Sequence, residues 1–175
     1  VAAPSDPGPE GTVAWLDADQ MREWRSLMAL VTRLPSALDA QLKRDAGLNG
    51  FEYHVLAALS DAPDHTLPLT DLAGRSRGSL SRLSHAVTRL ENAGWLTRER
   101  CTGGGPSRVE ARLTAAGVEK LQDCAPGHVR EVRRLVVDVL TPDELRALGH
   151  AARTVVRAAG LDPADGDRVG PPPPC

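Results

Sequence analysis

Between residues 79 and 113 the spacing of apolar side chains changes from that of a helix to that of a strand, which constrains the fold more than any other feature. Advancing about 100° per residue from Leu80 places Leu83, Val87 and Leu90 on one narrow face. Ser81, Arg82, His85, Thr88 and Arg89 fall on the other side, and Glu91 falls at the margin of the apolar face. Ser79 stands at the N-cap position and Gly94 at the C-terminal glycine position of such a helix. Two alternating stretches follow, 95–101 and 108–113, joined by Thr-Gly-Gly-Gly-Pro-Ser, and this pattern predicts a β-hairpin. In its second run Val109, Ala111 and Leu113 share one face, while Arg108, Glu110 and Arg112 share the other.

Upstream, Trp24, Met28, Val31, Leu34, Leu38 and Leu42 recur at helical spacing and predict a long amphipathic helix over 17–43, kinked by Pro35 and ended by Gly47. Asn49 followed by Glu52 forms a capping-box pattern for a second helix reaching about residue 61. Thr70 is expected to cap a short third helix over 71–75, with a turn around Ser76-Arg77-Gly78 leading into the basic helix. Downstream, Thr114 is expected to cap a long fifth helix that can bend at Pro126-Gly127. Thr141-Pro-Asp-Glu144 is a second capping box, opening a last helix that stops at Gly160. The predicted class is mainly α with a small β-hairpin wing. Residues 1–14 and 161–175 are rich in Pro and Gly and are expected to be disordered.

Aromatics make up only 3% of the chain, so Ala, Leu and Val must fill the interior. No apolar run approaches the ~20 residues of a membrane span, and the expectation is a soluble, cytoplasmic protein with no membrane partner. The three cysteines, Cys101, Cys124 and Cys175, form no CxxC pair. The chain has no phosphate loop, no GxSxG and no HExxH, and its histidines (54, 65, 85, 128 and 150) are scattered. No catalytic residue, metal or cofactor is expected, and the chain does not read as an enzyme. Charge is unevenly distributed. Residues 70–114 hold eight arginines against four acids, a local excess of +4 in a chain of net charge −2, so the remainder carries −6.

A short helix, a turn, a basic amphipathic helix and a basic hairpin make the order of a winged helix-turn-helix, in which the second helix enters the major groove of double-stranded DNA. On this reading the DNA-contacting residues are Ser79, Ser81, Arg82, His85, Thr88 and Arg89 from the helix and Arg108 from the wing. Hydroxyl, imidazole and guanidinium groups on a face without a carboxylate can bond to base edges and phosphates.

The runs Leu69-Thr-Asp-Leu-Ala73, Ser81-Arg-Leu-Ser-His-Ala-Val-Thr-Arg-Leu-Glu-Asn-Ala-Gly-Trp-Leu96 and Arg112-Leu-Thr-Ala-Ala-Gly117 resemble the core of MarR-family regulators. The resemblance spans about residues 20–158. It implies a triangular homodimer, with 15–48 and 114–160 forming a helical dimerisation region and 49–113 the DNA-binding lobe. It also implies a small-ligand crevice between the two regions, repression of a neighbouring gene, and a palindromic operator. The family's wing carries an Asp-Arg-Arg-like stretch where this chain has Gly105-Pro106-Ser107, so Arg108 is the nearest substitute and no bracing carboxylate is evident for it.

Apolar stripes on the last two helices (Val132, Leu135, Val136, Val139 and Leu140; Leu145, Leu148, Ala152, Val155 and Val156) suit either a dimer interface or an internal bundle. Trp15, Trp24, His54 and His65 are candidates to line a site for a small aromatic or phenolic effector. Two alternatives stay open: a winged-helix module that binds protein and not DNA, and a redox-sensing regulator acting through Cys101, which lies near Arg98 and Arg100.

Overall fold

The computed structural model describes residues 13–76, 78–101 and 108–160. The predicted disordered ends therefore lie outside the described residues, apart from Val13 and Ala14, which are exposed and without regular structure. Helix α1 (Ala18–Ala46) starts where Asp17 and Gln20 cap each other's backbone. The Gln20 N–H donates to Asp17 Oδ1 at 2.8 Å and the Asp17 N–H to Gln20 Oε1 at 3.1 Å. Residues 13–34 form one compact unit, and Trp24, Leu27, Met28, Leu30 and Val31 are exposed in it. Pro35 sits inside α1.

The second unit begins at Pro35 and holds the core. Its part of α1 buries Gln41 and Leu42, and Gly47 turns the chain with φ 67°. Helix α2 (Gly50–Ser60) opens on the predicted capping box: Asn49 Oδ1 accepts from the Glu52 N–H, and Glu52 Oε2 accepts from the Asn49 N–H, both at 2.9 Å. Asp39 of α1 accepts from the Gly50 N–H at 2.8 Å, pinning the end of α1 to the start of α2. Helices α3 (Leu69–Arg75) and α4 (Leu80–Asn92) and strands β2 (Leu96–Cys101) and β3 (Arg108–Leu113) follow in the expected order. Gly94, with φ 77°, makes the turn out of α4.

Leu48, Val55, Leu56, Leu59, Leu72, Leu83, Val87, Leu90, Leu96 and Ala111 are all at most 1% exposed and form one continuous aliphatic core. This is the interior that a sequence poor in aromatics requires.

Three details differ from the sequence expectations. A short strand, β1 (Thr66–Pro68), pairs antiparallel with β3, so the hairpin becomes a three-stranded sheet of order β1-β3-β2. Three residues are too few to show a period of two. Helix α3 begins at Leu69 and has no side-chain cap; Thr70 Oγ1 bonds to Asp71 instead. Glu110, on the polar face of β3, is buried because Pro68 of β1 lies opposite it.

Thr114 caps α5 (Ala115–Val132) by accepting from the Gly117 N–H at 3.0 Å. The helix runs through Pro126 and Gly127, and its departure from α geometry comes at Arg133–Val137, a wider turn in which the Asp138 N–H reaches the Arg133 carbonyl. Helix α6 (Pro142–Ala158) opens on the second capping box, Thr141 with Glu144, and the chain turns at Gly160 with φ 62°. No described residue of α6 is buried; Leu148 and Val155 are exposed.

Candidate nucleic-acid interface

Helix α4 is fixed at its start by Ser79, whose hydroxyl accepts from the Arg82 N–H at 3.2 Å. That hydroxyl accepts at the cap and keeps its own proton to donate. Leu83, Ala86, Val87 and Leu90 are buried, while Ser81, Arg82, Ser84, His85, Thr88 and Arg89 are exposed, so periodicity located both faces. Thr88 Oγ1 donates to the Ser84 carbonyl at 3.0 Å, which leaves its oxygen lone pairs to accept from a base or a partner.

The two arginines of this helix are anchored on the first turn of α2. The Arg82 guanidinium carbon lies 4.3 Å from the centroid of the Phe51 ring. Arg89 Nε lies 3.1 Å from Oε1 of Glu52, whose side chain is 2% exposed while that of Arg89 is 67% exposed. Gly78 permits this arrangement, since a Cβ there would stand 2.3 Å from Cε2 of Phe51. Neither Phe51 nor Glu52 was a site residue in the sequence reading. Their contacts cross from one helix to another, and only Glu52's role in the capping box shows in local spacing.

Glu91, the one acid of α4, turns away to the sheet. Its Oε1 accepts from the Arg98 N–H at 3.1 Å and its Oε2 from Arg98 Nε at 2.8 Å, with a further bond from Nη2. The bonds from Arg98 hold the Glu91 carboxyl below the usual carboxylate range. They also tie the helix to the wing.

Within the wing, Arg108 Nε donates to Glu110 Oε1 at 2.7 Å. The sequence showed no carboxylate to brace Arg108; the brace is Glu110, two residues along the same strand face. Arg112 Nε donates to Thr66 Oγ1 of β1 at 3.1 Å. Gly105, Pro106, Ser107 and the side chain of Cys101 lie outside the described residues, and with them the wing tip and the thiol proposed as a sensor.

The candidate effector residues are divided between the two units. Trp15 and Trp24 belong to the 13–34 unit and are 87% and 50% exposed. In the larger unit His54 is exposed and meets the Tyr53 ring edge-on at 6.0 Å, whereas His65 sits in a turn with its Nδ1 3.1 Å from the Ser60 carbonyl. No hydrogen bond or ring contact joins His54 to His65 among the described residues. A different polar group does assemble between α1, α2 and α5. His128 lies 4.5 Å from the Tyr53 ring, its Nδ1 is 3.3 Å from Gln41 Oε1, and Gln41 Nε2 donates to Asp45 Oδ2 at 2.9 Å. Cys124 is buried nearby, and burial raises its thiol pKa, so it is a packing residue and not a reactive one. Among the described residues no cluster of side chains could hold a metal ion, and no helix is long and apolar enough to cross a membrane.

Burial, with a smaller contribution from His54, holds the His128 imidazole below its ordinary pKa. The unfolded chain therefore takes up a proton first as pH falls. The stability this residue contributes is complete above about pH 6.5 and declines below it, toward the lower folded value. His128→Gln is expected to flatten the pH dependence of the urea midpoint in that window. The lowered carboxylates Asp39, Asp45, Glu91, Glu131 and Glu144 act only at more acidic pH, as they protonate.

Comparison with known proteins agrees with this architecture. Residues 48–103 match the MarR family. Over 121 residues the chain is 26% identical to the HTH-type transcriptional repressor YetL of Bacillus subtilis, covering 69% of this chain and 71% of that protein. Among solved structures it is similar to Sco3205, a MarR family transcriptional regulator from Streptomyces coelicolor crystallised in complex with DNA. The identity is 42%, the match covers 89% of this chain and 96% of that one, and the TM-score is 0.80. AbsC, another MarR family transcriptional regulator from the same organism, is 32% identical, with 86% of this chain and 100% of that one covered and a TM-score of 0.79. The chain belongs to the MarR family of transcriptional regulators, and its α3, α4 and β-sheet make up the winged helix of that fold.

Proposed function

We propose that this regulator is a cytoplasmic, non-catalytic homodimer that represses transcription by binding a palindromic operator and leaves it when a small aromatic or phenolic effector binds. The observation that carries the DNA reading is the exposed face of α4, which offers Arg82, Arg89, Ser81, His85 and Thr88 while the helix's one acid is engaged by Arg98. Arg108, braced by Glu110, is the wing's contribution. The repressor assignment is supported by YetL, and DNA as the partner by Sco3205.

Dimerisation is supported by apolar side chains left exposed on the elements at the two ends of the sequence: Trp24, Met28 and Val31 in α1, and Leu148 and Val155 in α6. We assign 15–48 and 114–160 to that interface and 49–113 to the DNA-binding lobe. Two-fold symmetry then places half-sites about one helical turn, ~10 base pairs, apart. The effector is assigned by chemistry alone, with Trp15, Trp24, His54 and His65 as its candidate contacts.

Fluorescence anisotropy with the duplex upstream of the protein's own gene, beside a scrambled duplex and across salt concentrations, tests this reading. Arg82→Ala and Arg89→Ala are each expected to weaken specific binding by about 1–3 kcal/mol. Wild-type affinity should fall steeply with salt as counterions compete. Unchanged affinity in both variants would remove α4 as the reading helix, and no binding even at low salt would transfer the winged helix to a protein partner.

A further inference from the structure

We propose that Glu52 is a positioning residue for DNA recognition: from inside α2 it orients the Arg89 guanidinium so that the terminal Nη pair faces outward to the DNA. The inference rests on the assignment of Arg89 to DNA made above.

Glu52 is 2% exposed, and a carboxylate so buried is costly unless its oxygens find partners. Oε2 is used in the α2 capping box. Oε1 makes no hydrogen bond among the described residues and faces Arg89 Nε at 3.1 Å, so charge attraction joins the two without good hydrogen-bond alignment. With Nε drawn to Glu52, the Nη1/Nη2 edge is the donor pair left to Arg89. It matches the O6/N7 edge of guanine or two phosphate oxygens.

The Arg89 side chain is 67% exposed, so packing contributes little to its position. A cavity of about 130 Å³ lies beside the pair, lined by Gly47, Glu52, Arg89, Leu90, Ala93 and Trp95. It gives the arginine other places to go once the carboxylate is neutral. Arg82, seven residues and about two turns earlier, is held by the preceding residue of α2, its guanidinium over the Phe51 ring. The same turn of α2 thus anchors both arginines.

The test is a double-mutant cycle in the full chain with Glu52→Gln and Arg89→Ala. The probe is the duplex that the wild-type chain enriches from a randomised pool, with a scrambled duplex beside it. Gln is accepted at the third position of a capping box, so Glu52→Gln keeps α2's start, and thermal melting checks the fold. A negative charge removed near DNA tightens binding if charge is all that matters. Positioning predicts the reverse. Glu52→Gln should lower affinity for the enriched duplex about tenfold, leave the scrambled duplex and the salt slope near wild type, and add nothing in the Arg89→Ala background. Unchanged or tighter binding by Glu52→Gln while Arg89→Ala weakens it, or strictly additive losses, would overturn the proposal and leave the DNA reading intact. If Arg89→Ala binds as wild type does, Arg89 does not read DNA and the proposal falls with that assignment. If the wild-type chain enriches no duplex, the DNA reading itself fails.

Discussion

A single methyl group at Gly117 is expected to destabilise the fold by about 3 kcal/mol, the upper part of the range for overpacking. A Cβ at this position would stand 2.0 Å from the carbonyl oxygen of Trp95 and 2.7 Å from Cδ1 of Leu113. The first obstacle is backbone and cannot rotate away. That same carbonyl accepts from the Thr114 N–H at 3.1 Å, and the Thr114 hydroxyl donates to the Gly94 carbonyl at 2.7 Å. The start of α5 is therefore clamped against the turn that leaves α4. Moving α5 outward to admit the methyl would stretch both bonds and loosen the cap on its own Gly117 N–H. Ala gains about 1 kcal/mol over Gly in helix propensity, which is too little to offset this. Urea unfolding of Gly117→Ala should show a clearly lower midpoint with an unchanged slope. A midpoint at or above wild type would mean that α5 does not need this close approach.

The second large effect is expected for Leu90→Ala, at about 2–5 kcal/mol. Leu90 is 1% exposed, lies on the buried face of α4, and borders the cavity beside Glu52 and Arg89. Truncation removes its contacts with the aliphatic core and joins the new space to the existing cavity. The last turns of α4 then lose their hold on α2, so DNA affinity should fall together with stability. The paired measurement is a urea midpoint and an anisotropy titration on the same preparation. A cost below 1 kcal/mol would show that the surroundings collapse into the gap.

Both effects arise where the helical and strand patterns meet, and there the sequence and the structure contribute different things. The Leu83, Val87 and Leu90 spacing located the buried face of α4, and Ser79 and Gly94 marked its ends, because these are local properties of about one or two turns. The Asn49–Glu52 and Thr141–Glu144 boxes were visible for the same reason. The polar face of α4 was equally plain, and from it came the candidate DNA contacts.

The partners of those contacts were not visible. Arg108 has its bracing carboxylate in Glu110, which alternation alone placed on the polar face; β1, too short to carry a pattern, sets Pro68 beside Glu110, and Glu110 is buried. Arg89 meets Glu52, and Arg82 meets Phe51, across an interval of more than thirty residues. Gly78 and Gly117 read as turn or motif residues until the groups standing 2.3 and 2.0 Å from their missing Cβ atoms were placed. The sequence by itself determined the helices and the two strands of the hairpin, and which side of α4 is apolar, since burial imposes a period on neighbouring residues. Only the tertiary structure decided which charge meets which. That choice depends on where separate elements come to lie, and no local period records it.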